Sequence, residues 1–159
     1  MKVALLLAGM AIVASQPQDM GTLQAPPKTK QYVEYAAEQQ VVPAAKRAVL
    51  ELRFRVLNGY HVNSHTPKSE FLIPTIVQFA SGDGVKVTPA EYPAGKPYSF
   101  TFAPEEKLDV YEGEFTVKLP VEAYAGQHEL KGSLKYQACD HAACYPPKTL
   151  PVDLLFTAK

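Results

Sequence analysis

A strict alternation of apolar and charged residues restricts the fold of this 159-residue chain more than any other feature. Every second position between residues 50 and 56 is apolar and the positions between them are charged: Leu50, Leu52, Phe54 and Val56 against Glu51, Arg53 and Arg55. Successive side chains of a β-strand point to opposite faces, so a period of two belongs to a strand with one buried face. The pattern predicts a half-buried strand of an antiparallel sheet.

Further segments rich in β-branched and aromatic residues predict more strands. Pro74 interrupts the segment over residues 71–79 and confines that point to a sheet edge or a bulge. The predicted strands cover residues 71–79, 85–88, 98–102, 114–119, 129–136 and 150–156. No helical period of useful length competes with them. Many short strands separated by turns rich in Pro and Gly predict an all-β fold, an immunoglobulin-like antiparallel β-sandwich.

The first fifteen residues have the layout of an export signal. Lys2 precedes an apolar run over residues 3–14, and small residues then give way to Gln16. A transmembrane helix needs about 20 apolar residues, so this run predicts a cleaved signal peptide over residues 1–15 rather than a membrane span. A buried N-terminal helix is the alternative interpretation. The mature protein is expected in the periplasm or outside the cell, with no membrane span.

Prolines among polar and small residues follow the predicted signal. Pro17, Pro26 and Pro27 lie in this stretch, which predicts a flexible linker over residues 16–41. The folded domain is predicted over residues 42–159, a length that buries a core without disulfides.

Charge composition excludes one class of partner. Sixteen acidic residues balance sixteen basic ones, and no run of Lys or Arg occurs. Nucleic-acid binders carry a basic patch or stripe, so no nucleic-acid partner is expected.

Both cysteines of the chain, Cys139 and Cys144, lie close together near its end. Closing so short a loop stabilises a fold by only about 2 kcal/mol on the chain-entropy model, which weakens the interpretation as a structural bridge without excluding it. Pro146 and Pro147 follow, and their missing amide donors leave a rigid, poorly paired rim that a partner can reach. The pair is therefore either a redox centre or a structural disulfide.

The residues between the cysteines favour opposite ionisation states of a thiol. Protonated His141 would stabilise a thiolate, whereas Asp140 would destabilise it. An alternative arrangement uses both cysteines and His141 as ligands for zinc or copper, completed by His61, His65 or His128. The second ligand pair at recognisable spacing that zinc sites normally show is not visible, so no metal and no other cofactor is predicted.

Several motifs together resemble a known family. They are Tyr136-Gln137-Ala138-Cys139, Cys144-Tyr145-Pro146-Pro147, and the upstream stretches over residues 59–67, 71–75 and 108–113. Over residues 42–156 the chain is similar to the N-terminal periplasmic domain of the thiol:disulfide interchange protein DsbD. The resemblance implies an immunoglobulin-like sandwich whose cysteine pair exchanges disulfides with a thioredoxin-like domain and then reduces periplasmic proteins.

Carried over to this sequence, the resemblance implies specific site residues. Cys139 and Cys144 would be the redox pair, with Cys144 as the attacking thiol. A loop with an aromatic tip would cap the cysteines from within residues 91–107, with Tyr92, Tyr98, Phe100 or Phe102 as candidates, although for each of them taken singly the core is the favoured position. Further residues are expected to line the site: Tyr136, Asp140, His141, Tyr145, His61 and Asn63.

The resemblance also implies how such a domain would be supplied with electrons. Full-length members continue into a membrane domain and a thioredoxin-like domain, and neither pattern occurs in this sequence. A separate thioredoxin-like or DsbD-like donor protein is therefore expected, with periplasmic disulfide-bearing proteins as acceptors. The predicted function is that of a thiol–disulfide oxidoreductase component. The alternative is a non-catalytic immunoglobulin-like interaction module in which Cys139 and Cys144 form a permanent bridge.

Overall fold

The computed structural model describes residues 30–159, which fold into β-strands without a helix. This part of the chain therefore has no helix long and apolar enough to cross a membrane. The strands are β1 (Val33–Ala36), β2 (Gln40–Val42), β3 (Arg47–Val56), β4 (His61–Asn63), β5 (Ile76–Phe79), β6 (Val85–Val87), β7 (Lys96–Phe100), β8 (Ala103–Tyr111), β9 (Glu114–Ala123), β10 (Gly126–Tyr136), β11 (Ala138–Cys139) and β12 (Lys148–Ala158).

The strands form three four-stranded sheets. The first sheet has the order β1-β3-β9-β6, the second β2-β12-β10-β5 and the third β11-β4-β8-β7. Neighbouring strands are antiparallel, except that β2 runs parallel to the end of β12. The predicted immunoglobulin-like β-sandwich is confirmed.

The main core lies between the first two sheets and follows from the alternation in the sequence. β3 is exposed and buried at alternate positions throughout, as predicted. Leu50 pairs with Leu119 and Phe54 with Phe115 across β3 and β9, which places their side chains on the same buried face. β10 and β12 contribute the opposite layer, with Leu134, Val152, Leu154 and Phe156 buried.

The N-terminal boundary of the domain differs from the prediction. The predicted signal and most of the predicted linker lie outside the described residues. Within them, Val33–Ala36 pairs antiparallel with the end of β3, and Gln40–Val42 pairs with β12. Tyr32 and Val33 are buried in the main core. The described end of the predicted 16–41 linker is thus part of the sandwich, because a short apolar segment there completes the edge of the first sheet.

Other strands also begin or end where the alternation alone did not place them. The predicted strand over residues 71–79 begins at Ile76, and Phe71 is 88% exposed, because the chain before Pro74 forms a loop. The strand predicted over residues 98–102 is Lys96–Phe100. β4, β8 and β11, which form most of the third sheet, were not predicted as strands.

The two faces of the third sheet pack against different parts of the molecule. One face contributes Val62, Tyr111 and Ala138 to the main core. The other face carries a separate small cluster of buried side chains, among them Cys139. The cysteine therefore lies on the side of this sheet that faces away from the main core.

Candidate functional site

The two cysteines form a hairpin closed by a disulfide. Cys139 ends β11 and is paired antiparallel with Cys144, and their sulfur atoms are bonded at 2.05 Å. The backbone reinforces the turn between them, since the Asp140 amide donates to the Ala143 carbonyl at 2.9 Å. The Tyr145 amide donates to the Ala138 carbonyl at 2.8 Å. The structure thus brings together the pair predicted from the sequence.

The two cysteines differ in their access to solvent. Cys139 is fully buried, at 0% exposure, whereas Cys144 is exposed. Thiol–disulfide exchange requires an attacking group to approach one sulfur along the bond axis. A partner can approach Cys144 from solvent but reaches Cys139 only after the surrounding side chains move.

A small apolar cluster covers Cys139, and we refer to these residues as the cysteine cover. It comprises buried Phe100, Leu108 and Val110 with partly buried Leu72, Tyr98 and Ala103. They come from β7, β8 and the loop before β5, so the β7–β8 hairpin lies over the buried sulfur. Of the aromatic residues predicted to cap the cysteines, Tyr98 and Phe100 belong to this cluster.

The remaining two cap candidates have different positions. Phe102, at the tip of the β7–β8 hairpin, is 67% exposed and stacks on Phe100 with ring centroids 4.8 Å apart. Tyr92 stacks instead on His65, at 3.7 Å between ring centroids, and its hydroxyl accepts from the Val77 amide at 2.8 Å. Tyr92 therefore supports β5 rather than the cysteines.

Asp140 organises the turn of the disulfide hairpin. Its Oδ1 accepts from the amides of Ala142 and Ala143 at 2.8 and 2.9 Å, and its Oδ2 accepts from the Tyr145 hydroxyl at 2.5 Å. The Tyr145 hydroxyl above all, and then the two amides, lower the pKa of Asp140 to about 2. The same contact raises the pKa of Tyr145 to about 12. Asp140 is therefore a fixed carboxylate that locks the turn.

Tyr145 connects the hairpin to the N-terminal segment through stacked rings. Its ring stacks on Tyr32 at 5.0 Å and meets Tyr60 edge-on at 6.1 Å. The Tyr136 hydroxyl accepts from the Tyr32 amide at 2.9 Å and donates to the side chain of Gln31 at 2.6 Å. Tyr136 is itself fully buried in the main core, so it holds the segment that Tyr145 packs on and does not line the disulfide.

His61 lies opposite the buried cysteine on the neighbouring strand. It is the register partner of Cys139 in the β4–β11 pair. Its ring lies 4.0 Å from the ring of Tyr98 and 5.8 Å from that of Phe100, and it is 2% exposed. Burial lowers the pKa of His61, opposed by the nearby carboxylates of Glu112 and Asp140. No described residue hydrogen-bonds its buried Nε2 atom.

Asn63 and Gln137 tie three segments together beside the hairpin. Asn63 Nδ2 donates to the Ile73 carbonyl at 3.0 Å and to Gln137 Oε1 at 3.2 Å. Gln137 Nε2 donates in turn to the Tyr145 carbonyl at 3.2 Å. Asn63 therefore holds the hairpin against the loop before β5, two positions along β4 from the residue that pairs with Cys139.

The other sequence-predicted histidines differ in their position relative to the disulfide. His141 is exposed in the turn and borders a cleft of about 360 Å³ that is also lined by His61, Tyr98 and Glu112. His65 donates from Nδ1 to the Thr75 carbonyl at 3.1 Å, and His128 Nε2 contacts the Tyr124 carbonyl. Within residues 30–159, no three His, Cys, Asp or Glu side chains come together as a metal site.

Sequence reasoning missed the residues that cover and clamp the hairpin. Leu72, Leu108 and Val110 cover Cys139, and Gln137 bridges to Asn63 and Tyr145. Gln137 lies within a motif that the sequence analysis singled out, but its role depends on contacts with residues far away in the chain. Only Leu108 and Val110 carry a local signal, since polar Asp109 lies between them.

Comparison with known families gives one match over most of the chain. A family model described as "Thiol:disulfide interchange protein DsbD, N-terminal" matches residues 28–155. No curated protein matches the chain significantly.

Solved structures that are similar to this chain include three periplasmic or DsbD N-terminal domains. The reduced N-terminal domain of DsbD from Neisseria meningitidis is 20% identical, with 73% of this chain and 86% of that chain covered and a TM-score of 0.47. The complex of DsbD and PilB N-terminal domains from that organism gives 20% identity, 83% and 88% coverage, and a TM-score of 0.48. The N-terminal periplasmic domain of ScsB from Proteus mirabilis gives 11% identity, 77% and 44% coverage, and a TM-score of 0.53. At this identity the ScsB likeness supports the fold alone.

Proposed function

Because this chain belongs to the DsbD N-terminal domain family, we propose that it is a thiol–disulfide exchange domain acting through Cys139 and Cys144. The observation that carries the proposal is the asymmetric disulfide. One sulfur is reachable from solvent and the other is buried beneath an apolar cover. A structural bridge needs no such difference, whereas an exchange centre uses it to select which sulfur a partner meets.

The exchange has two steps that this geometry can support. A donor thiolate attacks the exposed Cys144 sulfur, the Cys139–Cys144 bond breaks, and Cys139 leaves as a thiolate. Attack by the donor's second thiolate on the mixed disulfide then releases Cys144. In the opposite direction, the Cys144 thiolate attacks a partner disulfide, and Cys139 resolves the mixed disulfide. In each cycle two electrons pass from the donor to the acceptor, and the disulfide is transferred in the opposite direction.

The partners and the compartment follow from the family rather than from a contact in this structure. We propose a thioredoxin-like or DsbD-like protein as the electron donor and periplasmic disulfide-bearing proteins as acceptors. Such exchange persists where the surroundings are oxidising, so the domain would act in the periplasm after removal of the signal over residues 1–15.

The residues around the disulfide have supporting roles in this proposal. Asp140 and Tyr145 fix the turn, so that Cys144 stays at the rim of the domain. Asn63 holds the hairpin against the loop that carries Leu72. His141 is exposed and borders the cleft beside the hairpin.

A second candidate function is an interaction module with a permanent bridge. The observation that favours it is the complete burial of Cys139 under the cysteine cover. Burial protects a disulfide and slows its reduction, because one sulfur is out of reach. In that case the exposed rim would bind a partner without chemistry.

Trapping with single-cysteine variants distinguishes the two functions. The reduced Cys139→Ala and Cys144→Ala domains are each mixed with an oxidised thioredoxin-like protein, and mixed disulfides are measured by mass. Cys139→Ala keeps the exposed thiol and lacks the resolving one, so it should accumulate a mixed disulfide at least about tenfold faster than Cys144→Ala. Failure of both variants to form one, with folding intact, would support the interaction module.

A further inference from the structure

His61 occupies the position on β4 that faces the buried sulfur. Residues directly opposite one another in an antiparallel pair carry their side chains on the same face, with Cβ atoms about 4.5 to 5.5 Å apart. His61 is opposite Cys139. The rings of Tyr98 and Phe100, which belong to the cysteine cover, also contact the His61 ring. The imidazole and the Cys139 side chain therefore lie on the same face of the third sheet, next to the same two aromatic rings.

The imidazole in this space carries an unpaired nitrogen. His61 is 2% exposed, and its buried Nε2 has no hydrogen-bond partner among the described residues. Leaving a buried polar atom without a partner is costly, so such an atom calls for a partner in some state of the protein. In the disulfide state Cys139 has no proton to share. In the dithiol state the Cys139 thiol carries a proton, and this thiol lies on the strand next to that of His61.

We propose that His61 Nε2 is the proton acceptor for the Cys139 thiol, so that this histidine sets the rate at which the reduced domain closes its disulfide. The inference rests on the proposed exchange function. A neutral imidazole protonated at Nδ1 has a free electron pair at Nε2 and can accept a hydrogen bond or a proton.

The step balances without another reactant. Cys144 is joined to a partner in a mixed disulfide, and Cys139 is a protonated thiol. The proton of Cys139 passes to His61 Nε2, and the Cys139 thiolate attacks the Cys144 sulfur. The Cys139–Cys144 bond forms, the bond from Cys144 to the partner breaks, and the partner leaves as a thiolate carrying the electron pair. The imidazolium then loses its proton through the adjoining cleft.

The surroundings keep His61 neutral and therefore basic at the start of this step. Burial in an apolar environment disfavours the imidazolium and lowers the pKa of His61. The groups that face it are the Tyr98 ring from β7, Glu112 after β8, and Asp140 and His141 from the turn of the disulfide hairpin. The two carboxylates oppose the shift and stabilise the imidazolium once it forms.

The test separates attack by Cys144 from resolution by Cys139. The reduced domain is mixed with one equivalent of 5,5′-dithiobis(2-nitrobenzoate), a disulfide that releases a coloured thiolate at each step. The first release reports Cys144 and the second reports Cys139. Both rates are followed across a range of pH for the wild type and for His61→Phe, which fills the same apolar space. His141→Gln is the matched control, a histidine beside the disulfide but exposed.

Removing the proton acceptor should slow only the second release. General base catalysis contributes about 10² to 10⁴ in rate, so His61→Phe should resolve at least about 100-fold more slowly at neutral pH. Its second rate should rise in proportion to hydroxide concentration, while the wild-type rate levels off above the pKa of His61. The first release and both rates of His141→Gln should stay within a factor of about 2, below the smallest contribution expected of a general base.

Either of two results overturns the proposal. One is a second rate in His61→Phe equal to the wild-type rate at every pH, and the other is equal slowing by His141→Gln. His61→Gln guards against loss of folding in the Phe variant, because it keeps a polar tip without a basic nitrogen and should resolve as slowly. If the wild-type domain itself never gives a second release at any pH, the exchange function fails instead, so the two failures are distinguishable.

Discussion

Removing one hydroxyl from the core should weaken the whole N-terminal edge of the domain. Tyr136→Phe keeps the buried ring and removes only the hydroxyl, so the main change is the loss of the two hydrogen bonds that the hydroxyl makes. The hydroxyl accepts from the Tyr32 amide at 2.9 Å and donates to Gln31 at 2.6 Å. Gln31 is partly exposed and finds water, but Tyr32 is 7% exposed and its amide does not.

The magnitude follows from those two contacts. A lost neutral hydrogen bond costs about 1 kcal/mol, and a buried amide left without a partner costs about 1 to 3 kcal/mol. Tyr136→Phe should therefore lower the free energy of unfolding by about 2 to 3 kcal/mol. With a urea slope of about 2 kcal/mol per molar, the unfolding midpoint falls by about 1 M.

Urea unfolding followed by circular dichroism measures this change, with Tyr124→Phe as the matched control. Tyr124 is 73% exposed, so its hydroxyl stays in water and the variant should differ from wild type by no more than about 0.5 kcal/mol. If Tyr136→Phe also stays within that margin, the segment that packs Tyr32 against Tyr145 is not held by the Tyr136 hydroxyl. The Tyr136 hydroxyl would then not be the main polar contact that holds β1 against the core.

Two further predictions concern the cover and the turn of the hairpin. Phe100→Ala should cost about 3 kcal/mol of stability and speed alkylation of reduced Cys139, because Phe→Ala in a core costs about 3 to 5 kcal/mol and this cluster is small. Phe102→Ala, at 67% exposure, should change neither; equal alkylation rates in the two variants would contradict the cover. Asp140 has its pKa lowered from 3.8 to about 2 by the Tyr145 hydroxyl and two amides, so it stabilises the folded state above about pH 4 and loses that contribution as the pH falls through about 2. The stability difference between wild type and Asp140→Asn, measured by urea unfolding, should therefore vanish toward pH 2, and a difference independent of pH would refute the assignment.

Local periodicity predicted the strands that form the main core. β3, β9, β10 and β12 are long, and each buries alternate residues over at least part of its length, so the period of two is visible in the sequence. β8 was not predicted as a strand because its first half is exposed and only its last residues face a core. β4 is too short to show a period.

The candidate site was predictable only in part, for a related reason. Cys139 and Cys144 are close in sequence, and their pairing is local. The apposition of His61 and Cys139 joins strands 78 positions apart, and nothing in either segment alone specifies that register. The same holds for the cover, whose residues come from three separate elements. Family resemblance indicated that His61 lines the site, but its unpaired nitrogen became evident only from the packing.

The reduction potential of the Cys139–Cys144 pair tests the central claim most directly. The purified domain is equilibrated in defined thiol buffers, and free thiols are counted by alkylation and mass. An exchange domain should have a potential between about −270 and −120 mV, the range of thioredoxin-like exchange proteins. A potential below about −300 mV, with a bridge that is reduced only when the domain unfolds, would contradict the account and identify the disulfide as structural.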